Sequence, residues 1–547
     1  MTCKTILVSL TMLINIVFTQ QVNLSESNLP IIIIDTSGET IVNEPKIEAH
    51  MGIIDGGTPN YVTDIFNDYD GVVGIEIRGA SSASFPKKSY AVETWDSNGN
   101  DIDVSLLGMP EEEDWILYGP YTDKTMMRNT LIYELVRQSG KYASRTKYCE
   151  LIINNEYMGV YVFMEKIKKD NDRVDISKLS ENEISGDDLT GGYIIKIDKK
   201  AGAETDGWES DYEPFPEAWQ RVFYQYHYPK GSKIASEQKE YIQNFMENFE
   251  ATMADSQICY DPNLGYRALI NVESLVDYFI FNELAKNLDA YIASFYLYKD
   301  KDSKDARLHF GPVWDFNLSM GNNFSPIHRD PDHWRFTIPL DYWEIENRWT
   351  IEPFWLHTIW EHPQFQEDFR NRWNELRNTI LSEDNIMSII DDFVDELDRP
   401  QERNYLQWDV LDEMLYGNPY IFGTYEGEVG YLKNWLSERL LWIDENIMIV
   451  PLEIENDSYL TGFTLLDNFP NPFNPTTSFR VQTEKQQLIT IKIFNVQGEL
   501  VDTIIENSII SGNNIFHWNA SGYSTGIYIC VVEGGKYFTS NRMLYLK

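Results

Sequence analysis

Cysteine is scarce in this chain, and its spacing disfavours two common ways of stabilising a folded protein. Only four cysteines occur in 547 residues. They form no C-x-x-C pair and no regular ladder, so neither a zinc knuckle nor a disulfide framework is indicated. We therefore expect Cys149, Cys259 and Cys530 to be mostly small, buried apolar side chains.

Basic residues are also few relative to acidic ones. The chain has 45 lysines and arginines against 86 aspartates and glutamates, which gives a formal net charge of −41. Such a surface repels phosphate backbones and anionic lipid, so nucleic-acid and membrane-surface binding are disfavoured, whereas basic or cation-bearing partners are favoured. Apolar residues make up 43% of the chain, enough for globular interiors, and its length predicts two or three domains.

Long apolar runs are absent beyond the first twenty residues. Lys4 is followed by a mostly apolar stretch at residues 6–18 and then by polar Thr19-Gln20-Gln21, which is typical of an export signal at residues 1–20. No later segment reaches the roughly 20 apolar residues that a membrane-spanning helix needs. The sequence therefore predicts a protein that is secreted or held at the cell surface, with no transmembrane segment in the mature chain.

The predicted body, residues 28–446, has strands first and helices after. Short β-branched runs predict strands, and Asn154-Asn155 predicts a hairpin turn between two of them. Apolar residues at helical spacing predict helices further along. The predicted strands are 31–34, 72–78, 89–95, 148–153, 160–165 and 192–198, and the helical stripes are 272–284, 365–376 and 432–443. This order predicts an α+β fold rather than alternating βαβ units.

A linker is predicted at residues 447–462, where the composition changes. Short strands then recur at 478–481, 489–494, 514–518, 527–532 and 542–546, with turn residues Gln497-Gly498, Gly512-Asn513 and Gly534-Gly535 between them. This spacing predicts an antiparallel, immunoglobulin-like β-sandwich over residues 463–547.

The same C-terminal region carries a resemblance to a known family. It begins FTLLDNFPNPFNPTTSFR (463–480) and continues through IKIFNVQGELV (491–501) and GIYICVVEGG (526–535). The prolines fix φ and remove hydrogen-bond donors, which makes a rigid entry into the first strand. The region resembles the sorting domain of the type IX secretion system, which implies that this machinery is a partner and that the route crosses the outer membrane. An ordinary surface β-sandwich that binds sugar or protein is the alternative.

Several common catalytic motifs are absent from the predicted body. It has no G-x-x-x-x-G-K-[ST] phosphate loop, no H-E-x-x-H zinc motif, no G-x-S-x-G elbow and no conventional kinase Asp-Phe-Gly. A P-loop NTPase, a zinc protease of that type and an α/β-hydrolase are therefore disfavoured.

Two aspartates are the remaining candidates for chemistry. Asp289 is followed five residues later by Ser294, and Asp315 ends an apolar run that begins at Gly311. Burying a carboxylate costs several kcal/mol unless it is paired or metal-bound. Two such carboxylates can serve phosphoryl transfer, one holding Mg²⁺ and the other orienting the attacking hydroxyl. In a chain this acidic, helix caps and surface turns are the alternative interpretation.

Four blocks of the body resemble, in the same order, the spore-coat protein H (CotH) family of atypical protein kinases. They are RGASS (78–82) with FPKKSY (85–90), DWILYGP (114–120) with MRN (127–129), GVYVFMEKI (159–167), and the Asp289 region with GPVWDFN (311–317). The resemblance spans roughly residues 28–446. It implies a pared-down, kinase-like fold that uses ATP and Mg²⁺.

The resemblance also implies roles for individual residues. Asp289 takes the catalytic place beside the hydroxyl nucleophile, and Asp315 binds Mg²⁺ under the ATP phosphates. Lys88 neutralises phosphate charge, with Glu165 as the partner that holds it in place. Lys87 is the alternative to Lys88, because adjacent strand residues face opposite ways.

Further phosphate and metal contacts are implied around these residues. Arg78 and the turn that contains Ser81 and Ser82 bring cationic, amide and hydroxyl groups to the phosphates. Arg128 either bridges phosphate or pairs with one of the many acids. Ser294 is a second Mg²⁺ ligand, at a position where a kinase-like pattern prefers Asn.

The sequence thus predicts a secreted kinase that transfers the ATP γ-phosphate to Ser or Thr hydroxyls of exported or surface proteins, with basic substrates suited to its charge. Because ATP is scarce outside the cell, the alternative is a catalytically silent adhesin or carbohydrate-associated module on the same scaffold. Trp115, Trp314, Trp355 and Trp373 could form a sugar platform or an adenine stack, but Trp at helical spacing is more typical of a core.

Overall fold

The computed structural model describes residues 22–198, 206–215, 218, 220–337, 352–447, 463–495, 500–534 and 537–547. The chain divides into two compact units, residues 1–450 and 451–547. The predicted export signal and, apart from Ile447, the predicted linker lie outside the described residues.

The described residues form strands β1–β19 and helices α1–α10. The strands are β1 Glu26–Ser27, β2 Ile31–Asp35, β3 Ile47–Ile54, β4 Asn60–Tyr61, β5 Tyr69–Arg78, β6 Ser89–Trp95, β7 Asp114–Tyr118, β8 Thr146–Ile153, β9 Glu156–Glu165, β10 Tyr193–Ile197, β11 Gly207–Glu209, β12 Phe223–Tyr228, β13 Phe295–Lys299, β14 Leu308–Phe310, β15 Phe463–Phe469, β16 Thr476–Asn495, β17 Leu500–Asn519, β18 Gly526–Gly534 and β19 Tyr537–Tyr545. The helices are α1 Arg128–Gln138, α2 Ser236–Ala254, α3 Tyr266–Leu269, α4 Val272–Ala285, α5 Asp302–Asp305, α6 Pro326–Arg329, α7 Phe354–Glu361, α8 Pro363–Arg377, α9 Glu383–Gln407 and α10 Tyr425–Asn446.

Seven strands of the first unit close into a barrel in the order β2-β3-β5-β6-β7-β9-β8. Neighbouring strands are antiparallel except β2 and β8, which are parallel. The turn between β8 and β9 lies at Asn154 and Asn155, whose φ angles of 50° and 66° are left-handed values that Asn tolerates. The predicted hairpin is therefore confirmed. Closure removes the exposed edges that an open sheet of this size would present.

A second sheet lies after the barrel in the chain, in the order β11-β12-β10-β13-β14, with every pair antiparallel. One face, with Ile195 and Leu297, packs into the large apolar core that the helices share. The other face, with Ile194 and Tyr296, packs against Ile167 in a smaller cluster. Because side chains alternate along a strand, the two faces of this sheet belong to two different apolar clusters.

Helix α4 leads directly to the candidate site. Its first turn is capped by Asn271, whose side chain accepts a hydrogen bond from the backbone N–H of Ser274. Every residue from Ser274 to Ala285 is buried, so the helix lies inside the molecule rather than presenting one stripe to it. The helix ends at Ala285 and is followed by the capping residue Lys286, which has a left-handed φ of 48°.

The predicted order of strands first and helices after holds only in part. Helix α1 lies between two barrel strands, and β10–β14 alternate with α2–α5. The sequence pattern missed α1 because its buried residues include Arg128, Asn129 and Thr130 as well as apolar ones, so no simple apolar stripe is visible. The first unit is a mixed α/β body in which the helical stripes predicted at 272–284, 365–376 and 432–443 are all confirmed as helices.

The C-terminal unit consists of five antiparallel strands around its own apolar core. The 20-residue strand β16 pairs with β15, β17 and β18, so the described strands form one sheet rather than the two sheets of the predicted sandwich. The turn predicted at Gly512-Asn513 is wrong, because these residues lie within β17 opposite Thr483 and Gln482. Of the other two predicted turns, residues 497, 498 and 535 lie outside the described residues.

The expectations about cysteine and about membrane helices can be compared directly with this fold. Cys149, Cys259 and Cys530 are buried free thiols, as predicted. Within the part of the chain that the structure describes, no helix has both the length and the apolar character needed to cross a membrane.

Candidate active site

The chain segments on either side of hairpin β13–β14 meet at one end of the second sheet. We call residues 286–294, which precede β13, the entry loop, and residues 311–320, which follow β14, the exit loop. In the hairpin Leu297 lies opposite Phe310, and the backbone N–H of Gly311 donates to Tyr296 O at 2.9 Å. The start of β13 therefore lies beside the end of β14, and the two loops leave the sheet side by side.

Backbone hydrogen bonds also join the two loops away from the sheet. The N–H of Met320 donates to Ala285 O at 2.7 Å, and the N–H of Leu288 donates to Leu318 O at 3.4 Å. The loops are thus joined at both ends, although 17 residue positions or more separate them in sequence.

Asp289, Ser294 and Asp315 lie in these joined loops and are partly exposed. Between residues 281 and 297 only Leu288, Asp289 and Ser294 are partly exposed, and the rest are buried. In the exit loop Asp315 is partly exposed, and the next residue, Phe316, is buried. The structure therefore brings the two predicted aspartates and Ser294 onto the accessible part of two adjoining loops.

Five non-glycine residues of these loops have left-handed backbone conformations. The φ angle is 48° at Lys286, 73° at Tyr291, 51° at Ser294, 62° at Asp315 and 47° at Met320. Non-glycine residues in this region cost on the order of 1 kcal/mol or more each and persist only where the surroundings hold them. Such residues cluster at functional sites.

Helix α1 holds the exit loop through two polar side chains. The hydroxyl of Tyr133 accepts a hydrogen bond from the backbone N–H of Asp315 at 3.2 Å. The Asn129 side-chain carbonyl accepts one from the backbone N–H of Phe316 at 2.6 Å. The left-handed conformation of Asp315 is therefore fixed from outside the loop.

Arg128, also on α1, forms an ion pair with Asp123. It is 1% exposed, and its Nη1 lies 2.5 Å from Asp123 Oδ1. Its Nε donates to Ser319 O at 3.0 Å and its Nη2 donates to Met320 O at 3.2 Å. Because all three guanidinium nitrogens donate within the protein, Arg128 holds the exit loop and its predicted place among the cofactor ligands is not supported.

The predicted pair of Lys88 and Glu165 is not formed. Glu165 is 0% exposed, and its carboxylate accepts from Arg145 Nη1 at 2.7 Å and from the Arg145 backbone N–H at 2.9 Å. Arg173 Nε lies 3.7 Å from the same carboxylate. Glu165 therefore stabilises the end of β9, because Arg145 and Arg173 reach its carboxylate instead of a lysine.

Lys87 and Lys88 point to different surroundings. Lys87 is 1% exposed, and its Nζ donates to Val160 O at 2.6 Å and to Asn404 Oδ1 at 2.7 Å. Burial lowers the pKa of Lys87 to about 7. Lys88 is partly exposed, and its Nζ donates to Ala83 O at 2.8 Å. Of the two lysines, Lys88 is the accessible one.

The turn after Arg78 is tightly folded. Gly79 has a φ of 107°, and a Cβ at this position would lie 2.1 Å from Ser82 Oγ, so a larger residue would clash. Ser81 is exposed and Ser82 is partly exposed. The guanidinium carbon of Arg78 lies 5.9 Å from the ring centroid of Trp314, which places the end of β5 next to the exit loop.

Trp314 is a site residue that sequence reasoning grouped with core tryptophans. Trp115, Trp355 and Trp373 are 0% exposed, as a core interpretation predicts, but Trp314 is partly exposed. Its ring centroid lies 5.9 Å from that of Tyr133. Trp314 therefore forms part of the wall beside Asp315.

Lys196 and Asp198 were also missed. Strand β10 pairs with β13 so that Lys196 lies opposite Tyr296, and Asp198 follows Ile197, which lies opposite Phe295. Lys196 Nζ lies 3.2 Å from Asp198 Oδ2. The sequence did contain a signal for them. Lys196 and Asp198 alternate with Ile195 and Ile197, and charged residues are unusual in a strand that is otherwise apolar.

The charge distribution around the loops suits a nucleotide and a divalent cation. Burial, together with the negative charge of Asp315, raises the pKa of Tyr133, so its hydroxyl remains protonated. Burial lowers the pKa of Lys166. The negative charge of Asp114, 3.4 Å away, opposes this, and the positive charges of Lys230, Lys46 and Arg78 lower the pKa further. Cationic side chains favour phosphate, and carboxylate oxygens are the ligands that Mg²⁺ prefers.

Two other features of the body do not belong to this site. A His-Arg-Asp triplet, the catalytic triplet of conventional kinases, occurs at residues 328–330, but it follows Asp315 instead of preceding it, and His328 is buried. Within the described residues, Asp103, Glu112 and Glu113 lie close enough to hold a metal ion, but Lys168 Nζ already lies 2.6 Å from Glu112 and 2.5 Å from Glu113.

Comparison with family models identifies both parts of the chain. The model of the CotH kinase protein family matches residues 75–443, which is more than half of the chain. The chain belongs to the CotH kinase protein family. A second model, the secretion system C-terminal sorting domain, matches residues 467–545. A search of curated proteins found no match.

These matches confirm the two resemblances seen in the sequence. The sorting domain means that this CotH family member is exported by type IX secretion to the cell surface or the medium, and that the secretion machinery is one of its partners. Strands β2 and β3, which complete the barrel, precede the matched segment.

Proposed function

We propose that this protein is an exported kinase that transfers the γ-phosphate of ATP, with Mg²⁺, to Ser or Thr hydroxyls of exported or cell-surface proteins. Membership of the CotH kinase family supports the reaction class. The observation that carries the proposal is the joining of the entry and exit loops by backbone hydrogen bonds, because Asp289 and Asp315 then lie on adjoining loops despite their separation in the chain.

In the proposed reaction, the substrate hydroxyl oxygen forms a bond to the γ-phosphorus while the bond from that phosphorus to the β–γ bridging oxygen breaks. Asp289 orients the hydroxyl and accepts its proton, and ADP leaves with the bridging oxygen. Asp315, with Ser294, would hold Mg²⁺, which neutralises charge on the phosphates.

Lys88, Arg78, Ser81 and Ser82 are the proposed phosphate contacts. Lys88 is accessible, and its ammonium has three donors, of which one is used by Ala83 O. Arg78 lies beside the exit loop through its contact with Trp314. The net charge of −41 favours basic segments in the protein substrate.

The first test is phosphotransfer from γ-labelled ATP in the presence of Mg²⁺, measured as label incorporated into the protein itself and into a basic Ser-rich peptide. We expect Asp289→Asn and Asp315→Asn each to lower the rate by about 100-fold or more, because one removes the proton acceptor and the other a metal ligand.

Asp305→Asn is the matched control. Asp305 lies at the opposite end of the same hairpin, where it pairs with Arg307 and His309. The Asp305→Asn protein should transfer phosphate at a rate within about twofold of the wild-type rate, since Asp305 lies away from both loops. Wild-type protein that incorporates no label, and whose melting temperature does not change with ATP and Mg²⁺, would contradict the proposal and favour a silent adhesin or carbohydrate-associated scaffold.

A further inference from the structure

A fully buried carboxylate lies beneath the entry loop and outside the proposed site. Glu283, in the last turn of α4, is 0% exposed. Its Oε1 accepts hydrogen bonds from the Tyr291 hydroxyl at 2.7 Å and from the Phe336 backbone N–H at 3.2 Å. Its Oε2 accepts from the Arg335 backbone N–H at 2.6 Å and from Arg439 Nη2 at 3.5 Å. Four donors from three distant parts of the chain therefore converge on one carboxylate.

The first of these donors belongs to the entry loop itself. Tyr291 is two residues after Asp289, is 0% exposed and has a φ of 73°. Its hydrogen bond to Glu283 fixes the side chain of a residue whose backbone is in an unfavourable conformation. The bond therefore helps to hold the loop in the shape that presents Asp289.

A second connection reaches the other side of Asp289. The Arg335 guanidinium donates from Nε and Nη2 to Leu288 O, at 3.2 and 3.0 Å. Leu288 O belongs to the peptide bond that joins Leu288 to Asp289. Since the backbone N–H of Arg335 donates to Glu283, the glutamate also fixes the residue that holds this peptide.

Helix α10 completes the arrangement. Arg439 is 0% exposed, and its Nε and Nη2 donate to the backbone oxygen of Glu283 at 2.9 and 2.6 Å. A buried ion pair of this kind adds little net stability, because desolvation offsets the attraction, and apolar residues of similar volume often do as well. Its effect is instead to fix one geometry, here that of the end of α4 and the loop that follows.

We propose that Glu283 is a positioning residue for phosphotransfer, which acts through Tyr291 and Arg335 to hold Asp289 in line with the substrate hydroxyl. This inference rests on the proposed kinase activity. It adds a role for a residue that touches neither ATP nor the substrate hydroxyl.

Tyr291→Phe is the sharpest test, because it removes one hydroxyl and keeps the ring that packs against Tyr278 and Phe279. We expect kcat to fall about tenfold while the KM for ATP stays within about twofold, since the nucleotide contacts lie elsewhere. Amide hydrogen exchange over residues 286–294 should become faster, with no change in the barrel strands. Glu283→Gln, which replaces an acceptor oxygen with a donor, should lower kcat further.

Glu150→Gln is the matched control for loss of a buried carboxylate. Glu150 is also 0% exposed, and Arg403 pairs with it at the contact between the barrel and α9. Glu150→Gln should lower the melting temperature about as much as Glu283→Gln does. It should leave kcat within about twofold of the wild-type value.

Two results would overturn the positioning role. One is a Tyr291→Phe protein with unchanged kcat and unchanged exchange in the entry loop. The other is an equal loss of kcat in Glu150→Gln and Glu283→Gln at equal loss of melting temperature, which would make the effect one of general stability. If the wild-type protein transfers no phosphate, the kinase proposal fails, and the exchange measurement by itself decides whether Glu283 holds the loop.

Discussion

At the scale of single residues, burial decides which charged groups affect stability. Glu250, on α2, is 3% exposed and accepts hydrogen bonds from the Tyr224 hydroxyl at 2.8 Å and from Ser210 Oγ at 2.9 Å. Burial raises its pKa from 4.5 to about 7, because the charged form loses its hydration. Proton binding at this one carboxyl therefore favours the folded state.

The pH dependence of stability follows from this shift. The stabilising contribution of Glu250 is fully present below pH 4.5 and is lost as pH rises through about 7. Glu250→Gln should therefore match the wild type near pH 4.5 and exceed its free energy of unfolding by about 3 kcal/mol at pH 8. Urea unfolding at a series of pH values measures the difference.

Glu240→Gln is the control for loss of one negative charge, because Glu240 lies on the same helix and is exposed. Its free energy of unfolding should differ from that of the wild type by much less than about 3 kcal/mol at pH 8. A difference between Glu250→Gln and the wild type that stays constant from pH 4.5 to 8 would contradict the raised pKa of Glu250.

At the scale of elements, the end of α9 docks on strand β9 through a glycine. Gly159 has a φ of 98°, and a Cβ there would lie 2.6 Å from Asn404 Oδ1 and 3.0 Å from Trp408 Nε1. Asn404 Oδ1 accepts from the backbone N–H of Val160 at 3.1 Å, and Trp408 Nε1 donates to Met158 O at 2.8 Å. The absence of a side chain at residue 159 allows this close approach.

Gly159→Ala should lower the free energy of unfolding by about 2–3 kcal/mol, because it adds both backbone strain and a clash with α9. Gly140→Ala separates the two effects: Gly140 has a φ of 81° and no atom within 4 Å of an added Cβ, so it should cost only about 1 kcal/mol. Urea denaturation of both proteins gives the values. Equal losses would mean that helix docking does not depend on the glycine.

At the scale of the whole molecule, the two units have separate apolar cores. The buried residues of the C-terminal core all lie between Phe473 and Tyr545, and the cores of the first unit end at Ile447. Each unit therefore contains the apolar material for its own folding. The sorting domain acts in export, and the candidate active site lies wholly in the first unit.

A protein truncated after Ile447 should retain the phosphotransfer rate and the melting temperature of the first unit, the latter within about 2 °C. It should also accumulate inside the outer membrane, because it lacks the sorting domain. Scanning fluorimetry, the labelled-ATP assay and cell fractionation measure these three properties. Export of the truncated protein at the wild-type level would contradict the assignment of the C-terminal domain.

Local patterns in the sequence determined much of the fold. β-branched runs identified β2, β5, β6, β8, β9 and β10, and apolar spacing identified α4, α8 and α10. The family and the export route followed from contiguous blocks such as GPVWDFN (311–317) and FPNPFNP (469–475), which are readable without a structure. Strand β3 and helices α1 and α2 were missed because polar residues occupy buried positions in them or interrupt their apolar pattern.

Only the tertiary structure decided which charges pair and which remain accessible. Sequence placed Glu165 beside Lys88, but the packing of Arg145 and Arg173 against β9 gave the glutamate other partners. The sequence did not show which of Lys87 and Lys88 is accessible. In the structure Lys87 is buried and Lys88 is partly exposed. The physical reason is that an ion pair depends on distance and desolvation in three dimensions, which the packing of the folded chain sets and local sequence does not.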